Sequence, residues 1–212
     1  MNPKFDPQPQ SSRKTIMNVY EAIQTLETER LVLRRFIPSD AKDVLSLKMK
    51  DSTRIHRMIT IATEAEAEAF VDKKASLLAN RKGIAWAITA KDGSGYLGSI
   101  ELTYLVDEDK AHIQEIGFYV GIPFRRQGYA SEAIKRVTTS AFETYDYLQR
   151  VHAEVVPSNA GSIHTLEKCG FSQEGILKSW NMGNVDGGWV PVSLLVLALT
   201  RDSRPEHLPG QG

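Results

Sequence analysis

One stretch of the sequence has the residue types of an anion-binding site. The first turn of a helix has free backbone N–H groups and a partial positive charge, which together bind anions. Small residues at such a turn let a phosphate approach the main chain, and several successive amides suit a diphosphate better than a single phosphate. The stretch lies between a predicted strand and a predicted helix and reads Arg125, Arg126, Gln127, Gly128, Tyr129 and Ala130. The alternative is a tight turn with a solvated basic pair, because glycine before a helix is common.

The two common nucleotide-binding motifs do not fit this stretch. A P-loop would need Gly-Lys-Ser or Gly-Lys-Thr, and a dinucleotide fingerprint would need more glycines. The anion site therefore needs support from the rest of the chain.

The composition predicts one globular domain with a sizeable core, because the chain has 212 residues of which 42% are hydrophobic. Its 26 basic and 26 acidic side chains give no overall field that would favour nucleic acid or an anionic membrane. Cys169 is the only cysteine, which excludes an intramolecular disulfide and suits a reducing compartment. We therefore expect a cytoplasmic protein that binds neither nucleic acid nor membrane.

We expect a domain from residue 27 to residue 201, preceded by a flexible, Pro- and Gln-rich tail (1–26) and followed by a polar tail (202–212). Met17 is an alternative translation start to Met1. The longest apolar run, "VPVSLLVLAL" at 190–199, is about half of the ~20 residues that cross a bilayer. It is typical of a buried strand.

Hydrophobic periodicity predicts a mixed order of strands and helices. Thr63, three residues before Glu66, predicts a capping box at the start of the second helix, and Gly170 predicts the end of the fourth. The strands between 84 and 120 are joined by turn signals and predict a meander. The predicted strands are 29–36, 84–91, 95–105, 111–120, 148–156, 171–178 and 190–199, and the predicted helices are 38–50, 63–80, 127–145 and 159–170.

The motifs together resemble the GCN5-related N-acetyltransferase (GNAT) family. Residues 125–130 match its (Arg/Gln)-x-x-Gly-x-(Gly/Ala) coenzyme A loop. The segments "TERLVLRRF", "EIGFYV", "RRQGYASEA" and "PSNAGSIHTLEKCGFSQEG" are similar in order and spacing to its RimJ/RimL branch, which acetylates N-terminal amines of ribosomal proteins and has relatives with other substrates. The likeness runs from about residue 27 to residue 201.

The resemblance implies an α/β (α+β) fold, with a mixed, mostly antiparallel sheet of about seven strands flanked by about four helices. It also implies that acetyl-CoA lies where the family's fourth and fifth strands splay, with the 125–130 loop on its diphosphate. Here the fourth strand is 113–120. Phe118, Tyr119 and Val120 would offer main-chain groups to the pantetheine arm, as an added strand would, and Gly117 would allow a bulge or a close approach. Phe118 and Val120 would serve equally as sheet core.

Two residues after the fifth strand match further family positions. The resemblance implies that the Asn159 side chain binds the pantetheine and that Ser162 protonates the departing thiolate. Asn159 is also a good helix N-cap, and Ser162 could be an ordinary first-turn polar residue.

The general base stays open between three candidates. A free amine is mostly protonated at neutral pH, so transfer needs a base or a water relay. Glu154 stands where RimI-type relatives carry a glutamate base and shares its strand face with His152, while Glu115 and water are the alternatives. Two positions depart from the family: Leu166 replaces a tyrosine acid, and Asn181 replaces the RimL-type glutamate.

We expect an enzyme that transfers the acetyl group of acetyl-CoA to a primary amine by direct attack in a ternary complex. The acceptor would be a protein N-terminus or a small molecule, its pocket lined by residues 51–63 and by the segment between Trp180 and Trp189. The alternatives are a catalytically weak acyl-CoA sensor and a ribosome-associated factor recruited by residues such as Arg54. The spacing of the His and Cys residues predicts no metal site, and the protein would be a monomer or a homodimer.

Overall fold

The computed structural model describes residues 25–49, 61–104, 112–185 and 188–203. The predicted tails, Met17, most of the predicted acceptor segment 51–63 and its Arg54 lie outside the described residues, apart from the innermost tail positions.

Within the described residues the chain forms one eight-stranded sheet in the order β1-β2-β3-β4-β5-β6-β8-β7. All neighbouring strands are antiparallel except β5 and β6, which are parallel. The predicted mixed, mostly antiparallel sheet is confirmed, and the strand beyond the predicted seven is the two-residue β1. The strands are β1 Leu26–Glu27, β2 Leu31–Arg34, β3 Gly83–Ala90, β4 Gly95–Tyr104, β5 Ile113–Val120, β6 Arg150–Val155, β7 Ser172–Val185 and β8 Gly188–Thr200.

In the described ranges, four α-helices cover the sheet, together with a short 3-10 helix at Ile122–Phe124. The α-helices are α1 Asp40–Met49, α2 Glu64–Ser76, α3 Tyr129–Thr144 and α4 Ala160–Lys168. The predicted capping box begins α2, because Thr63 Oγ1 accepts from the Glu66 N–H at 3.3 Å and the Glu66 carboxylate accepts from the Thr63 N–H at 3.0 Å. Gly170, at φ 92°, ends the fourth helix as predicted.

The core has two layers, one on each face of the sheet. On one face α3 and α4 pack on the central strands through residues such as Phe142 and Leu166, both fully buried. On the other face α1 and α2 pack through Val44 and Phe70. The sheet is therefore the middle layer between two pairs of helices.

The seam between β5 and β6 is short. The two strands pair only through Ile113 with Arg150, Gln114 with Val151 and Glu115 with His152. Beyond these three pairs β6 continues against β8, and β5 continues against β4. The strands therefore diverge in a wedge that opens toward the C-terminal end of β5, which is the splay that the family resemblance predicted.

Two predictions about the strands were wrong in detail, and of the two alternatives given for Gly117 the structure shows the close approach. The first predicted strand (29–36) is only four residues long, because residues 28–30 form the turn between β1 and β2. The predicted strand 171–178 instead runs to Val185, interrupted by two register shifts. Gly117 forms no bulge, since the pairing of β4 and β5 is continuous across it; it gives room to the Glu101 side chain, whose Oε1 would lie 3.1 Å from an added Cβ.

Candidate active site

The loop between β5 and α3 presents a row of backbone amides. Gly128 begins α3 in the left-handed conformation (φ 86°, ψ −4°), and Arg126 is also left-handed at φ 62°. Glycine adopts this conformation without strain, whereas other residues do so at a cost. Within the described part of the chain, no acceptor receives a hydrogen bond from the amides of residues 126–131. Their N–H groups and the positive end of α3 can therefore act on one anion.

The side chains at the start of this loop hold its shape. Arg125 Nε donates to the Val120 carbonyl at 2.9 Å, and its guanidinium lies 5.8 Å from the Tyr119 ring centre. Gln127 Nε2 donates to the Pro123 carbonyl at 3.0 Å. Arg126 is exposed and has no carboxylate partner within the described residues. Arg125 therefore braces the loop, and Arg126 has its charge available to an incoming anion.

A second support comes from the turn between β1 and β2, and sequence reasoning missed it. Arg30 Nη1 donates to the Gln127 carbonyl at 3.0 Å, and Arg30 Nε donates to Glu132 Oε2 at 2.7 Å. Glu132, in the first turn of α3, also accepts from the Thr28 hydroxyl at 2.5 Å and from the Arg30 N–H at 3.0 Å. Burial alone would raise the pKa of the Glu132 carboxyl, but these hydrogen bonds outweigh it and lower that pKa. The sequence showed the segment "TERL" only as a family motif. Its structural role could not be predicted, because the residues that Arg30 contacts lie about a hundred positions away.

The three residues predicted to offer main-chain groups on β5 differ in what those groups face. The Tyr119 carbonyl faces Gly98 of β4, where any added Cβ would come within 2.0 Å of that oxygen. Alternate residues of an antiparallel strand point their main-chain groups in opposite directions, so those of Phe118 and Val120 face the wedge. The Val120 carbonyl already accepts from Arg125, which leaves Phe118 as the freest strand-like edge. The side chains of all three pack against the protein interior, which the core interpretation predicted for Phe118 and Val120.

Asn159 and Ser162 lie at the start of α4, immediately after β6. Asn159 is the N-cap: its Oδ1 accepts from the Ser162 N–H at 3.2 Å. The capping alternative is therefore correct, and it leaves the Asn159 amide hydrogens without an acceptor in the described residues. Ser162 is partly buried, and its hydroxyl likewise makes no hydrogen bond within that part of the chain.

The predicted base, Glu154, and its neighbour His152 lie on one face of β6. Glu154 is partly buried, and His152 is 7% exposed. His152 forms the last pair with Glu115 before the strands diverge, so all three side chains lie at the closed end of the wedge. His152 Nδ1 is buried without a hydrogen-bond partner among the described residues. Burial, followed by the charge of Arg150, lowers the pKa of His152, so its imidazole is neutral at pH 7.

The two positions that depart from the family have other roles here. Leu166 is fully buried in the core, so the face of α4 that could carry an acid at this position is closed to solvent. Asn181 lies on β7, where its Oδ1 accepts from the Met182 N–H at 3.0 Å. Cys169 is part of the core, and its Sγ donates to the Ser131 carbonyl at 3.5 Å, which joins the end of α4 to the start of α3. Burial raises the pKa of this thiol, which makes it a poor nucleophile.

The segment between Trp180 and Trp189 is mostly strand, not the loop expected from sequence. β7 and β8 continue pairing up to Val185 and Gly188. Trp180 is 61% exposed and Trp189 is 68% exposed. The hairpin therefore holds two indole rings toward solvent on paired strands.

Two further observations concern metal binding and membrane spanning in the described residues. In the described ranges, no group of three or more His, Cys, Asp and Glu side chains is close enough to bind a metal ion. None of the helices seen there has the length and apolar character needed to span a bilayer.

Comparison with known proteins gives consistent matches. The family model for the acetyltransferase (GNAT) domain matches residues 30–172. The uncharacterised N-acetyltransferase YoaA of Bacillus subtilis is 30% identical over 160 residues, which cover 75% of this chain and 89% of YoaA.

Solved structures match the fold as well. A putative ribosomal-protein-serine acetyltransferase from Vibrio cholerae superposes with a TM-score of 0.69 at 18% identity, covering 83% of this chain and 97% of that one. RimL, a ribosomal L7/L12 α-N-protein acetyltransferase solved with coenzyme A, superposes with a TM-score of 0.71 at 15% identity, covering 85% and 99%. The chain belongs to the GNAT family and is an acetyl-CoA-dependent N-acetyltransferase.

Proposed function

We propose that the protein transfers the acetyl group of acetyl-CoA directly to a primary amine, with donor and acceptor bound together. The observation that carries this proposal is the β5–β6 wedge, which opens beside the amide row of residues 126–131. An elongated donor with a diphosphate at one end and an amide-rich arm fits both features at once.

The loop from Arg125 to Ala130 would hold the donor diphosphate. Its amides supply hydrogen bonds, and the exposed Arg126 supplies a positive charge. Gly128 keeps the amide row open, since a side chain there would be strained and would project beside Arg30 Nη2.

The pantetheine arm would lie along the free edge of β5. Phe118 offers N–H and C=O groups that face the wedge, and the Asn159 amide hydrogens face an acceptor that the arm would supply. Tyr119 and Val120 support this edge from within the sheet. The thioester would then reach the closed end of the wedge, near Glu115 and His152.

The chemistry needs one proton removed and one proton supplied. As the amine nitrogen bonds to the thioester carbonyl carbon, the carbon–sulfur bond breaks and the sulfur leaves as a thiolate. We propose that Glu154 accepts the amine proton, directly or through water, and that the Ser162 hydroxyl gives its proton to the thiolate and is reprotonated from solvent. Glu154 lies on β6, and Ser162 lies in the first turn of α4, the helix that follows this strand.

The acceptor is proposed to be a protein N-terminus or a small-molecule amine. RimL, which shares the fold, acts on a ribosomal protein. Protein N-termini of that kind are therefore the first acceptors to test. The single, buried Cys169 suits a cytoplasmic location. All the residues proposed for the site belong to one protomer, so the proposal does not require a dimer.

The test is release of coenzyme A from acetyl-CoA in the presence of acceptor amines. A panel of peptide N-termini, polyamines, amino acids and aminoglycosides should contain at least one substrate, with acetylated product found by mass spectrometry. Tight acetyl-CoA binding without turnover on any of them would contradict the proposal and favour an acyl-CoA sensor.

A further inference from the structure

Arg30 occupies a position that the proposed chemistry does not yet explain. It lies in the turn between β1 and β2. Its guanidinium contacts the Gln127 carbonyl, the Glu132 carboxylate and, at 4.6 Å from the ring centre, the face of Tyr129. One side chain thus holds the last residues of the loop and the first turn of α3.

The contact with Gln127 fixes the direction of the amide row. A carbonyl held by Arg30 sets the orientation of the peptide plane between Gln127 and Gly128, and that plane carries the Gly128 N–H. The left-handed backbone of Arg126 is under strain, so without an external hydrogen bond this segment would relax. Arg30 therefore preorganises amides that a flexible loop would have to order on binding.

The contact with Glu132 solves an electrostatic problem. A carboxylate in the first turn of α3, only 19% exposed, lies beside the site proposed for a diphosphate and would repel it. Arg30 Nη2 lies 2.6 Å from Glu132 Oε2, and the Arg30 N–H and Thr28 hydroxyl satisfy the other oxygen. The negative charge of Glu132 is therefore neutralised by Arg30, and the ion pair holds the Arg30 side chain in place.

We propose that Arg30 is a positioning residue for the donor diphosphate, acting by orienting the amides of residues 127–131 and by neutralising Glu132. The proposal rests on the proposed function, since it needs a diphosphate donor at this loop. It assigns a task to the start of the domain, where Arg30 donates the hydrogen bond that reaches the loop.

The test compares Arg30→Met with Arg136→Met. Arg136 is a matched control because its Nε donates to the Glu27 carbonyl at 3.0 Å, joining α3 to the same N-terminal segment without touching the loop. We expect Arg30→Met to raise the Kd and KM for acetyl-CoA about ten- to a hundredfold, the range for a lost charge-assisted hydrogen bond. The kcat at saturating donor should change little, and Arg136→Met should leave both constants near wild type.

A truncated donor separates positioning from general structural damage. Acetyl-pantetheine carries the thioester but no diphosphate, so its kcat/KM should be equal in wild type and Arg30→Met. A fall that is just as large with acetyl-pantetheine as with acetyl-CoA overturns the proposal.

The charge component has its own test. In Arg30→Met the Glu132 carboxylate is left facing the site, so adding Glu132→Gln should recover part of the acetyl-CoA affinity. A double variant that binds no better than Arg30→Met contradicts the neutralising role. Arg30→Lys, which keeps the charge but loses the planar fork, should fall between wild type and Arg30→Met, and it serves if Arg30→Met unfolds.

The two levels of proposal fail differently. If the wild-type protein does not bind acetyl-CoA, the proposed function fails. If the wild type binds it and Arg30→Met binds equally well, only the role of Arg30 fails.

Discussion

The loop before α3 and the β7–β8 hairpin are opposite in construction. In the loop, Arg30, Arg125 and Gln127 each donate to a backbone carbonyl, which leaves the amides and the exposed Arg126 to bind an anion. In the hairpin, strand pairing is interrupted twice, and large apolar side chains such as Trp180 and Trp189 face solvent. These hydrogen bonds hold the proposed donor site in one conformation, whereas the exposed side chains of the hairpin can vary without disturbing it.

The largest effect is expected from a substitution at Gly128. Replacing it with glutamate puts a carboxylate and a strained left-handed residue against the amide row, so acetyl-CoA binding should be abolished in calorimetry. The matched control is Gly175→Glu on β7, where an added Cβ meets no atom within 4 Å. Normal binding by Gly128→Glu would show that the diphosphate lies elsewhere.

The next largest effect is expected from Ser162→Ala. If this hydroxyl protonates the thiolate, kcat should fall about a hundredfold while the Kd for acetyl-CoA stays constant. Thr165→Val is the control, because Thr165 lies on the same helix but donates to the Gly161 carbonyl at 2.7 Å. Equal, small changes in both variants would mean that water supplies the proton.

Two tryptophan substitutions compare the buried sheet with the exposed hairpin by their effects on the free energy of unfolding. Trp86 is fully buried in β3, so Trp86→Ala should lower the free energy of unfolding by about 3–5 kcal/mol. Trp189 is 68% exposed, so Trp189→Ala should change it by about 0.5 kcal/mol or less. Denaturant unfolding measures both, and a large loss in Trp189→Ala would show that the hairpin is packed against a partner in solution.

The sequence predicted the loop far better than the hairpin, and the reason is the range of the interactions. The helix start after Gly128 and the Thr63–Glu66 capping box depend on residues within a few positions, so both helix starts could be predicted. Arg30 could not be assigned, because Glu132 lies about a hundred residues away. The length of β7 was missed because its register shifts interrupt the period-two pattern that marks a strand.

The proposed catalytic centre was partly predictable, because only some of its interactions join residues close in sequence. Asn159 could be recognised as an N-cap from its type and place, and the structure agrees. The burial of His152 and its place at the last pair of the seam depend on how β5 and β6 diverge, which no local pattern reveals.

The smallest expected effect concerns His152 and pH. Its pKa in the folded protein is lowered, so the unfolded chain binds the proton more tightly. Stability should therefore be intact above about pH 6.5, the usual histidine pKa, and should fall as the pH drops below it. Arg150, Glu154 and Glu174 are the charged groups around the ring. His152→Gln should flatten the decline measured by urea unfolding between about pH 7 and about pH 5; an unchanged slope would assign the decline to other groups.

The three-pair seam between β5 and β6 leaves a strand edge inside the sheet rather than at its rim. Unprotected strand edges are templates for pairing with other chains, and proteins normally shield them. Here the proposed shield is the donor itself, lying along Phe118 as an added strand. The supply of acetyl-CoA would then govern the resistance of the folded protein to proteolysis and aggregation as well as its rate of turnover, because a ligand that binds only the native state protects it.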